Sequence, residues 1–226
     1  MPTALTHRET LRGFSYMAFQ ILLLPVLLQA ANQFADHFFS EAELNFLFFL
    51  INFLAVICIF HSFLHKSGKK LVQHPIYVLQ TVILGLCGYF ACSFLLNHLI
   101  TRFSPGFINL NDQGIASMAR SSRFLMAIGT VILVPPVEEC FYRGLIFRNL
   151  LNKNTFLAYA VSMTAFAAIH LLAFLGSFSW MDLALMALQY LPAGLFLGWA
   201  YQKSETIYAP ILIHALVNFW GIYQMR

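Results

Sequence analysis

The chain has 226 residues, of which 60% are apolar, 16% aromatic and only 10% charged, against about 25% charged in a soluble globular domain. Its net charge of +4 is small and scattered, which excludes a nucleic-acid partner read through a basic surface. The four cysteines (Cys58, Cys87, Cys92, Cys140) form no CxxC pair, so neither a disulfide framework nor a zinc ribbon is indicated.

Charge-free windows occupy 13–35, 44–65, 71–101, 124–137, 154–181, 183–202 and 206–225. A helix needs about 20 apolar residues to cross the hydrocarbon core, and six of the seven windows reach that length. In lipid only helices or closed barrels satisfy their own backbone, and the windows lack the alternating polarity of barrel strands. The expected fold is all-α, a polytopic transmembrane bundle of about seven to eight helices. It forms one domain over 1–226, multi-pass in the cell membrane.

The 13–35 window is long for a signal-peptide core and lacks a clean cleavage pattern, so it is taken as a retained first span. Arg8 and Arg12 precede it, and the loop after it carries Asp36, Glu41 and Glu43 without a cation. The second span ends in "HKSGKK". By the positive-inside rule the N-terminus and the 66–70 loop are cytoplasmic, a scheme that places nine of the thirteen Lys and Arg inside and Arg226 outside. A third span over about 75–100 leads to a polar connection, in which 115–123 begins the next helix. The fourth span is expected to end at Pro135-Pro136, with a new helix over 137–151. Spans over about 155–175, 181–201 and 206–223 complete the chain.

An ionisable group at the centre of a membrane helix costs about 2.5–3.5 kcal/mol, so the few present are functional candidates: Glu138, Glu139, Arg143, His170, His214 and, with them, Asn218. Glu139 and Arg143 stand at i and i+4 and share a helix face. Glu138 lies about 100° round and points elsewhere, so the two carboxylates are expected to occupy different environments. In the expected scheme both sit in the first turn of the post-proline helix, where the macrodipole favours negative charge. Phe166 precedes His170 by one turn, and His214 precedes Asn218 by one turn.

An acid, two imidazoles and an amide drawn from three helices suit hydrolysis of a peptide bond within the membrane. Glu138 and His170 would activate water. His214 and Asn218 would face the oxyanion. The six side chains are expected to meet at one cavity opening toward the cytoplasmic half. Glu138, His170 and His214 also form a possible two-His, one-Glu zinc set, and spacing alone leaves both mechanisms open.

The "EExxxR" element at 138–143, the "FxxxH" at 166–170 and the "HxxxN" at 214–218, with "LPAGLFLGWAY" between the last two, resemble the CPBP family of intramembrane proteases (CAAX-protease and bacteriocin-processing enzymes, also called the Abi family). The resemblance covers about 120–223, and residues 1–110 carry no motif of it. It implies a glutamate-type endopeptidase acting on a membrane peptide or protein. Glu138, His170, His214 and Asn218 would be catalytic, with Glu139, Arg143 and Phe166 in support. Similarity to the glutamate-type members implies no required metal, with zinc as the alternative. Eukaryotic relatives trim prenylated proteins, whereas the short chain and compact loops look bacterial. Gly194 and Gly198 read as a small-residue packing stripe.

Two rivals compete with this reading. A cysteine mechanism through Cys140 and His170 suffers from the neighbouring carboxylates, which suppress a thiolate. A non-catalytic transporter or immunity scaffold would use the same buried groups to bind an ion or peptide, but the repeated halves typical of transporters are not visible.

Overall fold

A computed structural model describes residues 1–224, and among these there is no strand. The first apolar run folds as α1 (His7–Leu22) and α2 (Leu24–Phe34), bent 45° from each other. Pro25, in the first turn of α2, cannot bond back to α1 and explains the bend. Next come α3 (Glu41–Ile59), opened by a Ser40–Glu43 capping box, α4 (His61–Gln73) and the long α5 (Pro75–Phe103). The polar connection supplies a helix of its own, α6 (Leu110–Ser121), begun by the Asn109 side chain. Then follow α7 (Arg123–Leu151), α8 (Thr155–Leu171), α9 (Trp180–Ser204) and α10 (Tyr208–Gln224).

Among the described residues five helices are long and apolar enough to cross a membrane, and six if the bent α1–α2 pair is one span. The seventh expected span is α10, described over 17 residues and packed against α5 and α9. Arg226 lies outside the described residues. The second window divides differently from expectation, because α3 ends at Ile59 and "HSFLHKSGKK" belongs to the separate α4.

The larger correction concerns Pro135-Pro136. These prolines do not end the fourth span, since α7 runs through them as one 29-residue rod. The helix widens to π geometry at Ile128–Leu133 and again at Cys140–Phe147, on either side of the proline turn. A widened turn moves backbone acceptors away from the positions where proline lacks an N–H. Glu138 and Glu139 therefore sit in mid-helix, far from any helix N-terminus, and the macrodipole gives them nothing.

One half of the bundle is solid. Phe60, Phe63, Phe141, Tyr142, Phe147 and Tyr201 are fully buried together at the end bearing Lys66–Lys70. Polar ties stitch that end shut. Buried Glu9 accepts the Phe63 N–H at 2.7 Å, answering an orphan donor in the first turn of α4. The Tyr201 hydroxyl donates to the Thr3 carbonyl at 2.6 Å and the Arg148 Nε to that of Pro2 at 2.9 Å. Thr206 donates to the Ser67 carbonyl, and Lys70 pairs with Glu205.

The two ends differ in charge. Arg8, Arg12, Lys66, Lys69, Lys70, Arg148, Lys153 and Lys203 gather at the solid end with Glu9 and Glu205. The other end carries Asp36, Glu41, Glu43, Asp112 and Asp182 with Arg102, Arg120 and Arg123.

Gly194 and Gly198 let α9 press against α8. A Cβ on Gly194 would stand 3.2 Å from the Met163 Cα, and one on Gly198 would meet the Tyr159 ring at 3.0 Å. Gly194→Val should therefore push the helices apart and cost about 1–3 kcal/mol, read as a lower melting temperature in detergent. An unchanged melting temperature would show that the close approach is dispensable.

Candidate active site

The site is built on the middle of α7, the end of α8 and the middle of α10. Its foundation is a charged group from which solvent is excluded. Glu139 and Arg143 are both 0% exposed, and Arg143 Nη1 donates to Glu139 Oε1 at 3.2 Å. The same oxygen lies 2.8 Å from His214 Nδ1. The Arg143 guanidinium also lies over the Phe166 ring, 4.6 Å from its centre, a favourable placement for a desolvated cation. Two helices are thereby locked through one carboxylate oxygen.

That contact fixes the imidazole. A carboxylate only accepts, so His214 Nδ1 carries a proton and Nε2 is turned outward. There it stands 3.8 Å from Oε2 of Glu138. The two glutamates leave α7 in different directions, as their spacing requires, yet both reach His214. Glu139 takes its inner nitrogen and Glu138 faces its outer one. Glu138 thus points away from Glu139, as expected, and the two meet opposite sides of one ring. Glu138 Oε2 is buried and makes no hydrogen bond.

Outside this foundation lies a cavity of about 640 Å³ lined by Glu138, Phe166, His170, His214 and Asn218 together. Glu139 and Arg143 do not line it and are sealed behind its wall. Of the six polar groups expected at one cavity, four reach it and two stand behind. A second space of about 410 Å³, walled by α1, α2, α3, α7 and α8, also borders Glu138 and is mostly apolar.

His170 is held in a defined orientation. Its Nδ1 is 2.8 Å from the Phe166 carbonyl, and because a carbonyl only accepts, that nitrogen donates. In the neutral ring Nε2 is then left with a lone pair. Tyr190 of α9 stacks on the imidazole at 4.3 Å with planes 25° apart.

Asn218 is positioned by the prolines. The Val134 N–H bonds back to the Gly129 carbonyl, and the next residue, Pro135, has no N–H to offer. The Thr130 carbonyl is left for a side chain, and Asn218 Nδ2 donates to it at 2.7 Å. The second amide hydrogen of Asn218 stays available to the cavity.

Among the described residues no three His, Cys, Asp or Glu side chains group closely enough to hold a metal ion. The alternative zinc set of Glu138, His170 and His214 lines the cavity without forming a cage. Cys140 is fully buried and borders neither space, which removes it as a nucleophile.

Tyr190, Thr130 and the polar mouth formed by Asn97, Asn109, Asp112 and Gln189 were not singled out from sequence. "QYLP" at 189–192, a polar pair inside an apolar span, was the available signal for Tyr190. The mouth is corrected too. It lies at the ends of α5 and α6, on the face opposite Lys66–Lys70, whereas the sequence suggested an opening on the lysine side.

Residues 120–220 match the family model of the Rce1-like type II CAAX prenyl endopeptidases. Ninety residues are 31% identical to the UPF0177 protein YxdF of Lactococcus lactis subsp. lactis (strain IL1403), covering 40% of this chain and 44% of that protein. The chain thus spans less than half the length of the curated relative it matches. No solved structure matches.

Pro135→Ala restores an N–H within reach of the Thr130 carbonyl and releases the Asn218 amide. The Asn218 side-chain amide signal in a nitrogen-15 spectrum should shift as its hydrogen bond to Thr130 is lost, while the melting temperature holds. An unmoved amide signal would separate the proline from Asn218.

Proposed function

We propose, from the Rce1-like match of 120–220 and the apolar setting of its helices, that this protein is a CAAX-type intramembrane endopeptidase of the glutamate kind. Its substrate would be a membrane-associated peptide or protein. The single observation that carries the reading is the convergence of Glu138, His170, His214 and Asn218, from three helices, on one cavity.

In this reading a water beside Glu138 gives its proton to the carboxylate, whose free oxygen has no competing donor. His170 Nε2 accepts the other hydrogen of that water and aims its oxygen at the scissile carbonyl. As the tetrahedral intermediate forms, negative charge grows on the former carbonyl oxygen. The spare amide hydrogen of Asn218 and a proton on His214 Nε2 meet it. With both nitrogens protonated His214 is positive. Before the attack Glu139 beneath it and the Glu138 carboxylate beside it balance that charge, and once Glu138 has taken the water's proton the oxyanion replaces it as the counter-charge. Collapse of the intermediate returns the proton from Glu138 to the departing amine. Arg143 holds Glu139 in place through their hydrogen bond, and so acts through His214 without touching substrate.

Cleavage of a membrane peptide by the purified protein should drop about 10²- to 10⁴-fold in Glu138→Gln and in His170→Ala, with folding retained. Unaltered cleavage in both would remove them from the chemistry. Dialysis against a strong chelator should leave turnover intact, and activity lost and regained only with zinc would replace this mechanism by a metal one.

A further inference from the structure

We propose that the cavity is served from the extracytoplasmic side of the membrane and selects peptide segments that present a basic side chain to Asp112. The side of entry stands whether or not the protein cleaves anything, whereas the preference for a basic segment rests on the proteolytic reading.

Charge sets the side. Eight Lys and Arg lie at the solid end of the bundle and three at the other, among the described residues. Lys and Arg near span ends are retained in the cytoplasm, so the solid, lysine-bearing end faces inward. The cavity mouth lies at the opposite end. There Asn109 Nδ2 donates to Gln189 Oε1 at 2.8 Å, and Gln189 Nε2 donates to Asn97 Oδ1 at 2.9 Å. This amide chain joins α5, α9 and the start of α6 across the rim. Toward the cytoplasm the path from Glu138 is closed by the aromatic cluster of Phe141, Tyr142, Phe147 and Tyr201.

The lining decides what is welcome. Asp112 and Glu138 are its charged residues, and among the described residues no Lys or Arg borders the cavity. Asp112 borders the cavity at the rim. Burial pushes its carboxyl above the usual range, His170 opposes that rise, and an arriving basic side chain would oppose it further. A substrate carboxylate, such as a free C-terminus close to the cut, would find two acids and no Lys or Arg, the His214 ring being already matched by Glu139 and Glu138. A basic side chain would find Asp112. The rim amides offer donors and acceptors to an extended backbone passing over them. Internal segments carrying Lys or Arg, displayed on the outer leaflet side, are what this mouth fits.

The side is read with cysteine variants in a chain whose exposed Cys58, Cys87 and Cys92 are replaced by Ser. In intact cells a membrane-impermeant maleimide should label Asn97→Cys and Asn111→Cys at the mouth and Ser93→Cys deeper in the cavity. Lys69→Cys should react only after permeabilisation. The reverse pattern would overturn the assignment. Labelling at the mouth without labelling at 93 would overturn access to the cavity from that side.

The substrate class is read as binding to Glu138→Gln in nanodiscs, so that cleavage plays no part. Fluorescent 20-residue Leu/Ala peptides, blocked at both ends, carry one central Lys, Ala or Glu. Affinity should fall from Lys to Ala to Glu by about two- to fivefold per step, the size of a part-exposed ion pair, and Asp112→Asn should level the series. Equal binding of the Lys and Glu peptides, or no binding of any, would overturn the selection. Binding as expected from a protein that never cleaves would sink the proteolytic reading alone.

Discussion

A single carboxylate oxygen, Oε1 of Glu139, holds the site together. It receives the Arg143 guanidinium from its own helix and the His214 ring from α10, in a place from which water is excluded. Burying an acid and a base costs several kcal/mol per ion unless each is paired. The arrangement is therefore unforgiving: removing either partner strands a charge, at about 3–5 kcal/mol. That cost gives the contact its use. It leaves His214 one orientation, with Nδ1 inward and Nε2 toward Glu138.

The rest of the fold divides its labour around this point. At the basic end, aromatic packing and hydrogen bonds to the first residues of the chain make a closed plug. At the acidic end the same helices splay round a space lined by polar groups. The proline pair stands at the boundary. Where one might look for a break, α7 stays continuous by widening its turns, and the carbonyl this frees at Thr130 takes hold of Asn218. A local backbone defect thus becomes the means of fixing a side chain on another helix.

Much of this was legible in the sequence, for reasons that can be named. Charge-free windows locate apolar helices because lipid tolerates little else, and α5, α8 and α9 fall close to where the windows put them. The site residues stood out because ionisable groups in such windows are costly, and the spacing of Glu139 and Arg143 fixed their pairing. What the sequence hid depends on the third dimension. The continuity of α7 rests on π turns that no propensity signals. Glu138 and Glu139 approach one imidazole from two sides because α10 crosses α7 there. Tyr190 and the amide rim are neutral polar groups, whose importance appears only once His170 and the cavity are in place. The side on which the cavity opens is hidden for the same reason: a proline pair in a sequence signals the end of a span, which would place the glutamates toward the lysine end, whereas α7 runs on through it.

Glu139 dictates which nitrogen of His214 carries the proton and how the ring is turned. Nitrogen-15 NMR of protein labelled at histidine, with His214 assigned by its loss in His214→Gln, tests it most directly. The native chain should show a protonated, strongly hydrogen-bonded Nδ1, and Glu139→Ala should abolish it. A bare Nδ1 in the native chain, or a signal indifferent to Glu139, would contradict it.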